Sequence, residues 1–280
     1  MRLVPNQAFA WMNVPIRLRP AGGENAFCVS NRVTPVRQRR NDPVNTSWSK
    51  ADLHIHTNYS SDGTASVIDI LEYVAANTDL RVIAVTDHDR IDGALEARQI
   101  AGSYGIEVIV GEEVSTVEGH MLALFIEEPL LPHCPAAETI AAVHAQGGLC
   151  IPAHPYGWRV PSMGQTRLHE RCVGPDCEWP IDAIETFNAG LWLARNNVQA
   201  AAVARQLNMP GCGGSDSHHL PTLGLGYTQF PGTTAADLRA AIKSGQIQAG
   251  GMQWTLGHNV EFIKRWLVGQ TQRVLRPSTP

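Results

Sequence analysis

Short apolar runs, rich in β-branched residues, recur along this chain of 280 residues, and each meets a histidine or a carboxylate. That recurrence restricts the possible folds more than any other feature. Asp52-Leu53-His54-Ile55-His56 is the first instance. Val82–Val85 runs into Thr86-Asp87-His88, Val108–Val110 into Gly111-Glu112-Glu113, and Ile151 into Ala153-His154-Pro155. Gly211–Gly214 precedes Ser215-Asp216-Ser217-His218, whereas Leu122–Phe125 follows His120. Strand ends that carry imidazoles and carboxylates supply what a multinuclear metal site needs.

Helical periods separate the strand-like runs. Val67–Ala76 places Val67, Ile70, Leu71 and Val74 on one face, and further helices are expected over Gly93–Tyr104, Glu138–Gln146, Leu193–Leu207 and Thr234–Ser244. Thr234 with Asp237 reads as a helix cap. Strands alternating with helices imply an α/β architecture of parallel strands joined by right-handed crossovers. In α/β barrels, for which this length is normal, the site lies at the C-terminal ends of the strands. His120 is the exception, since it precedes its strand.

Each ligand-type residue has an ordinary reading as well. A lone His-x-His is more often a surface strand or structural pair. Here His54 and His56 share one face because strand side chains alternate. Asp62, in Ser60-Ser61-Asp62-Gly63, reads alone as a turn residue, and His88 as a hydrogen-bonded core histidine. The ordinary readings strain when six of the 11 histidines occupy equivalent places. Only one of Glu112 and Glu113 should point inward, and a carboxylate buried there without a cation would be costly. His133, His144, His169 and His258 lack such context and read as surface or packing residues.

The 44% hydrophobic content supports a sizeable core, and the net charge of −4 offers no general attraction for nucleic acid or anionic membrane. Six scattered cysteines suit reduced thiols, and Cys172 and Cys177 lack the second pair a zinc site would need. No run approaches a membrane span, and the N-terminus is a poor secretory signal, so a cytoplasmic location is expected.

Taken in order, Asp52-Leu53-His54-Ile55-His56-Thr57, Ser60-Ser61-Asp62-Gly63, Thr86-Asp87-His88, Gly111-x-Glu113, Ala153-His154-Pro155 and Gly214-Ser215-Asp216-Ser217-His218 resemble the PHP family. That family is named for polymerase-associated and histidinol-phosphatase members, and the resemblance spans residues 51–230. It implies a distorted (β/α)7 barrel, two or three divalent ions (Mn, Zn or Fe) and phosphoester hydrolysis by a hydroxide bridging the metals. By the family pattern His54, His56, Glu113 and Asp216 hold the first ion. Glu113 bridges to a second with His120 and His154, and Asp62, His88 and His218 take the third. Glu113, Asp216 and His218 are the residues expected to serve catalysis.

The short span from Glu113 to His154 leaves little room for the helical insertion of nuclease-like relatives. Small phosphorylated metabolites and nucleotides are therefore favoured over polymers. Gly157–Trp179 is expected to form a substrate lid, with Arg159 as a phosphate clamp. His219 is the other expected substrate contact, and Glu185 and Asn188 could orient ligand histidines. A carboxyl- or carbamate-ester hydrolase is the main alternative, and a metal-binding module without turnover a third. Residues 1–50 read as an extension and 51–250 as the catalytic domain. Residues 251–280 read as a tail that packs on the barrel or mediates oligomerisation.

Overall fold

The computed structural model describes residues 47–275, apart from Arg159 and residues 173–176. Arg159, Cys28 and the first 46 residues thus lie outside the described residues. Among the described residues, nine strands and seven α-helices follow in chain order: β1 Trp48–Ile55, α1 Val67–Asn77, β2 Leu80–Val85, α2 Asp92–Ile100, β3 Glu107–Ser115, β4 His120–Leu124, α3 Ala136–Ala145 and β5 Leu149–Pro152. Then come α4 Gly164–Arg171, β6 Ile184–Asn188, α5 Ala194–Gln206, β7 Gly211–Gly214, β8 Gly226–Pro231, α6 Ala235–Ser244, β9 Gln248–Gly251 and α7 Leu256–Leu275.

Local chemistry starts the helices. Ser66 Oγ accepts from Asp69 N while Asp69 Oδ2 accepts from Ser66 N, so α1 opens with a reciprocal capping box. Its buried residues are Val67, Ile70, Leu71 and Val74, the face that the periodicity picks out. Thr234 and Asp237 cap α6 in the same way, and Gly245, left-handed at φ 71°, ends it.

Seven strands form one curled, half-barrel sheet in the order β5-β4-β3-β2-β1-β8-β9, and β6 and β7 form a parallel pair. The sheet is mixed, unlike the all-parallel expectation. β4 runs antiparallel to both β3 and β5, and β8 runs antiparallel to β1 and β9. The cause at β4 is its connection: Ser115 pairs with His120 across a tight turn, far too short for a crossover helix. The parallel pair meets the sheet along both edges. Ser217 bridges Ile55, and Asp182 N donates to Cys150 O at 2.9 Å.

Strands β2 to β5 are largely buried on both faces. Val82, Ala84, Ile109, Leu122, Leu124 and Ile151 fill the inside of the curl, while Ile83, Val85, Val110, Met121 and Ala123 pack outward under the helices. Helix α6 closes the end where β3 begins. Ala235 N donates to Glu107 Oε2, and Leu238, Ala241 and Ile242 enter the interior cluster.

Three stretches carry secondary structure that the sequence reading did not assign. Part of the expected lid, Gly157–Trp179, is helix α4, a polar segment with one fully buried apolar residue, Leu168. β8 and β9 extend the sheet beyond the last strand expected from sequence. The tail is α7, held by Trp254 N donating to Ala189 O and by Gln270 Nε2 donating to Ser61 O.

Candidate metal centre

Four local devices bring the ligand-type residues to one mouth. On β1, Ala51 and Leu53 face the interior but Ile55 faces the helices, so the facing changes between them. A register shift against β2 between Asp52 and Ile55 produces the change. It turns His54 and His56 together toward the strand ends. On β3 the alternation is unbroken, so Ile109 and Glu113 face inward and Glu112 outward. Glu112 accepts from Leu130 N at 3.0 Å, and burial pushes its carboxyl up to about 7.

His120 opens β4. An antiparallel strand begins where its neighbours finish, so this residue reaches the same mouth without breaking the strand-end rule. At His154 and Asp216 the backbone is left-handed, with φ 29° and 52°. Non-glycine residues rarely adopt that region, and each such position costs of order 1–3 kcal/mol that the surrounding structure must offset. The turn re-aims His154, because Leu149, Ile151 and Ala153 already occupy the inward positions of β5.

Glu113 sits at the centre. Its Oε1 lies 2.9 Å from both His120 Nδ1 and His154 Nε2. Its Oε2 lies 3.1 Å from His54 Nε2, 3.2 Å from His56 Nε2 and 3.3 Å from His88 Nδ1. Asp216 Oδ1 is 3.4 Å from Nε2 of both His54 and His56. Asp62 Oδ2 stands 3.3 Å from His88 Nε2 and 3.2 Å from His218 Nε2. All nine residues expected to hold metal therefore converge.

Neighbours fix the rings. His54 Nδ1–H donates to Glu185 Oε1 at 3.0 Å, and the other oxygen of Glu185 accepts from His154 N at 2.6 Å. Asn188 Nδ2 bridges Glu185 and Asp216, while Asn197 of α5 clamps the Asn188 backbone. Glu185 thus touches two of the expected ligand histidines, whereas Asn188 reaches Glu185 and Asp216 and, among the described residues, no histidine. Ser60 was quoted only within its motif and given no role: this hydroxyl meets His56 Nδ1 at 3.2 Å and accepts from His88 N at 2.8 Å. Asp52 was quoted only as part of the motif. Buried, it accepts from His54 N, Ser215 N and Gly224 N, and burial raises its pKa to about 6.

These residues fit divalent ions. His54 Nε2 and His56 Nε2 are buried and make no hydrogen bond, although carboxylate oxygens lie close by. Ligand atoms about 2.0–2.2 Å from a shared ion are separated by roughly 3.0–3.5 Å, which is the spacing seen here. The charges agree. Burial opposes ionisation of His54, but Asp216 and Glu113 hold it well above its usual range. His56 is pushed to about 10 against the same burial by Asp216 and Glu113. Burial likewise opposes ionisation of Glu113, yet His54 and His88 hold it well below the usual carboxylate range. The centre demands positive charge, and imidazole protons or metal cations can each supply it.

Four overlapping groups could each hold an ion: His54, His56 and Asp216; His54, Glu113 and His154; His88, Glu113 and His120; and His56, Asp62, His88 and His218. His56 reaches toward both Asp216 and the Asp62 group, a sharing absent from the family pattern. His144 and Asp182 make a separate pair, 3.0 Å apart, and Asp182 also accepts from Cys150 N. Cys172 and Cys177 are free thiols outside every such group.

His219 lies elsewhere than the sequence reading put it. Its ring is buried against Trp254 and Phe262, with centroids 5.3 and 5.9 Å away, and burial lowers its pKa to about 4. It lines no part of the cleft beside the centre. That cleft, about 300 Å³, is bordered by Asp62, Asp216, His218, Trp254 and Phe262.

Comparison with known proteins agrees with this geometry. Residues 52–157 match the PHP domain and residues 194–247 the PHP-associated family. An uncharacterised protein of Methanocaldococcus jannaschii is 35% identical over 150 residues, spanning 50% of this chain and 82% of the relative. A two-domain protein of Bacteroides vulgatus, containing a candidate PHP-like metal-dependent phosphoesterase, superposes with a TM-score of 0.59 at 18% identity. That match covers 78% of this chain and 70% of the other. A candidate metal-dependent phosphoesterase of Bifidobacterium adolescentis gives 0.54 at 18% identity, over 71% of this chain and 96% of the other. The structural likenesses show a shared fold, and with the sequence relative and the nine converging residues they establish that this chain belongs to the PHP family.

Proposed function

We propose that this protein hydrolyses the phosphoester of a small phosphorylated metabolite or nucleotide, using two or three divalent ions. The carrying observation is Glu113, whose two oxygens face five imidazoles while Asp216 and Asp62 complete the acidic complement. His54, His56, Glu113 and Asp216 would hold one ion, Glu113, His120 and His154 a second, and Asp62, His88 and His218 a third. Ions of the Zn, Mn or Fe type suit mixed imidazole–carboxylate donors. When bound they lower the pKa of water toward about 7 and offset phosphoryl charge.

The chain's own part is orientation. The hydrogen bond from His54 Nδ1–H to Glu185 leaves Nε2 as the lone-pair nitrogen facing the centre. The bond from His218 Nδ1–H to Asp216 O, 2.8 Å, does the same for Nε2 of His218. In the overall reaction water adds to phosphorus, the bond to the ester oxygen breaks, and that oxygen leaves as an alcohol.

One observation supports a second reading. The described lining of the cleft is mostly apolar, which a carboxyl- or carbamate-ester suits as well. Mn-reconstituted protein should be assayed on nitrophenyl phosphate, its bis-phosphodiester and nitrophenyl acetate, beside His56→Ala. Phosphate-ester turnover lost in the variant is expected, with inorganic phosphate competing. Cleavage of acetate alone, or full activity in metal-replete His56→Ala, would overturn the reading.

A further inference from the structure

We propose that the cleft beside the metal centre receives a planar aromatic group, so that the preferred substrates are phosphoesters of an aromatic alcohol. This inference rests on the phosphoester reading. Three separate segments bring rings to the cleft: Trp158 after β5, Trp192 between β6 and α5, and Trp254 with Phe262 at the start of α7. Ile263 adds an aliphatic wall. Trp254 is held rigidly, since its Nε1–H donates to Ser215 O at 3.1 Å and its ring stands edge-on to Phe262 at 5.9 Å. The other two tryptophans are 67% and 69% exposed, so they present large apolar faces to water. Single exposed apolar residues are ordinary, but several converging on one concave site beside reactive groups mark a ligand surface.

The shape and polarity name the ligand. Trp254 and Phe262 meet at 67°, and rings so arranged leave faces and edges for a further ring. The described lining is mostly apolar, so an uncharged aromatic part suits it. Asn196 is 4% exposed and borders the cleft, and its side-chain amide makes no hydrogen bond to a described residue. It can serve a polar edge of the ring. Sugar phosphates and other small polyols would leave the walls wet. Trp158, Trp192, Trp254 and Phe262 lie outside residues 52–157 and 194–247, the segments that match the family models.

Binding and turnover test this separately. Calorimetry on the full chain, metal-free and Mn-loaded, would use 2-(1-naphthyl)ethanol, which carries the ring without phosphate. One saturable site is expected, weakened at least about fivefold in Trp192→Ala and in Phe262→Leu. Turnover would compare 2-(1-naphthyl)ethyl phosphate with butyl phosphate, whose leaving alcohols are similarly acidic. The aromatic ester should show about tenfold higher kcat/KM, chiefly through KM, with the ratio falling toward one in Trp192→Ala. No binding by the alcohol, binding unchanged in both variants, or a wild-type ratio near one would overturn the inference. Alcohol binding as expected with both esters inert would instead overturn the phosphoester reading and leave the aromatic cleft standing.

Discussion

Glu185 belongs to no expected metal group, yet it joins two of the ligand histidines. One oxygen takes the His54 Nδ1 proton and the other the His154 backbone N–H. Glu185→Gln should keep the fold, by circular dichroism, while lowering metal affinity or turnover about 10- to 100-fold. Metal content after gel filtration and kcat/KM are the readouts, and unchanged values in both would remove its orienting role. Gly214 shows a second kind of constraint. A Cβ there would come within 2.6 Å of His54 Cβ and 2.9 Å of Glu185 Oε1. Gly214→Ala must push β7 away from β1, at a cost of about 1–3 kcal/mol. A lower unfolding midpoint with reduced metal content is the expected pair of effects.

Among the elements, those whose signals are local match their sequence reading closely. Helix α1 has its cap, its periodicity and its four buried residues within a dozen positions of one another. Ser66→Ala should cost about 1 kcal/mol and lower Tm by roughly 2–4 °C in a domain of this size, leaving turnover unchanged. A fall in turnover beyond that expected from partial unfolding would show that α1 supports the site more directly. β4 is a partial success: its position and its histidine are legible, and its direction follows only from the shortness of the Thr116–Gly119 turn. Gly119, at φ 147° with Met163 N 2.7 Å from where a Cβ would lie, makes that turn possible. Helix α7 was not assigned from the sequence, and its apolar residues form no buried stripe in the fold. Leu256, Ile263, Leu267 and Val268 remain exposed, while Phe262 turns toward His218.

At the scale of the whole molecule, the buried carboxylates make metal and stability interdependent. Glu113 and Asp216 are held ionised by imidazoles that must themselves stay charged without a cation. A metal that binds only the folded chain adds RT ln(1 + [L]/Kd), about 2.7 kcal/mol at a hundredfold excess over Kd. Chelation should therefore lower Tm by several degrees and re-addition of Mn restore it, as followed by calorimetry. A Tm indifferent to both treatments would argue against binding at these residues. No described helix is long and apolar enough to cross a membrane.

Residue types and their alternation were enough to mark the strand ends that carry histidines and carboxylates and to place most helices and strands, because those signals act over a few residues. The set of nine side chains and the choice of Glu113 over Glu112 came from the resemblance to the PHP family. The register shift that turns His54 and His56 is written between strands. The left-handed turns at His154 and Asp216 depend on contacts that tolerate them, and no periodicity reports such a turn. The His54–Glu185 bond joins residues 131 apart in sequence. The aromatic cleft draws on three segments with no shared pattern. Each of these depends on which distant surfaces meet, and only the packed chain decides that.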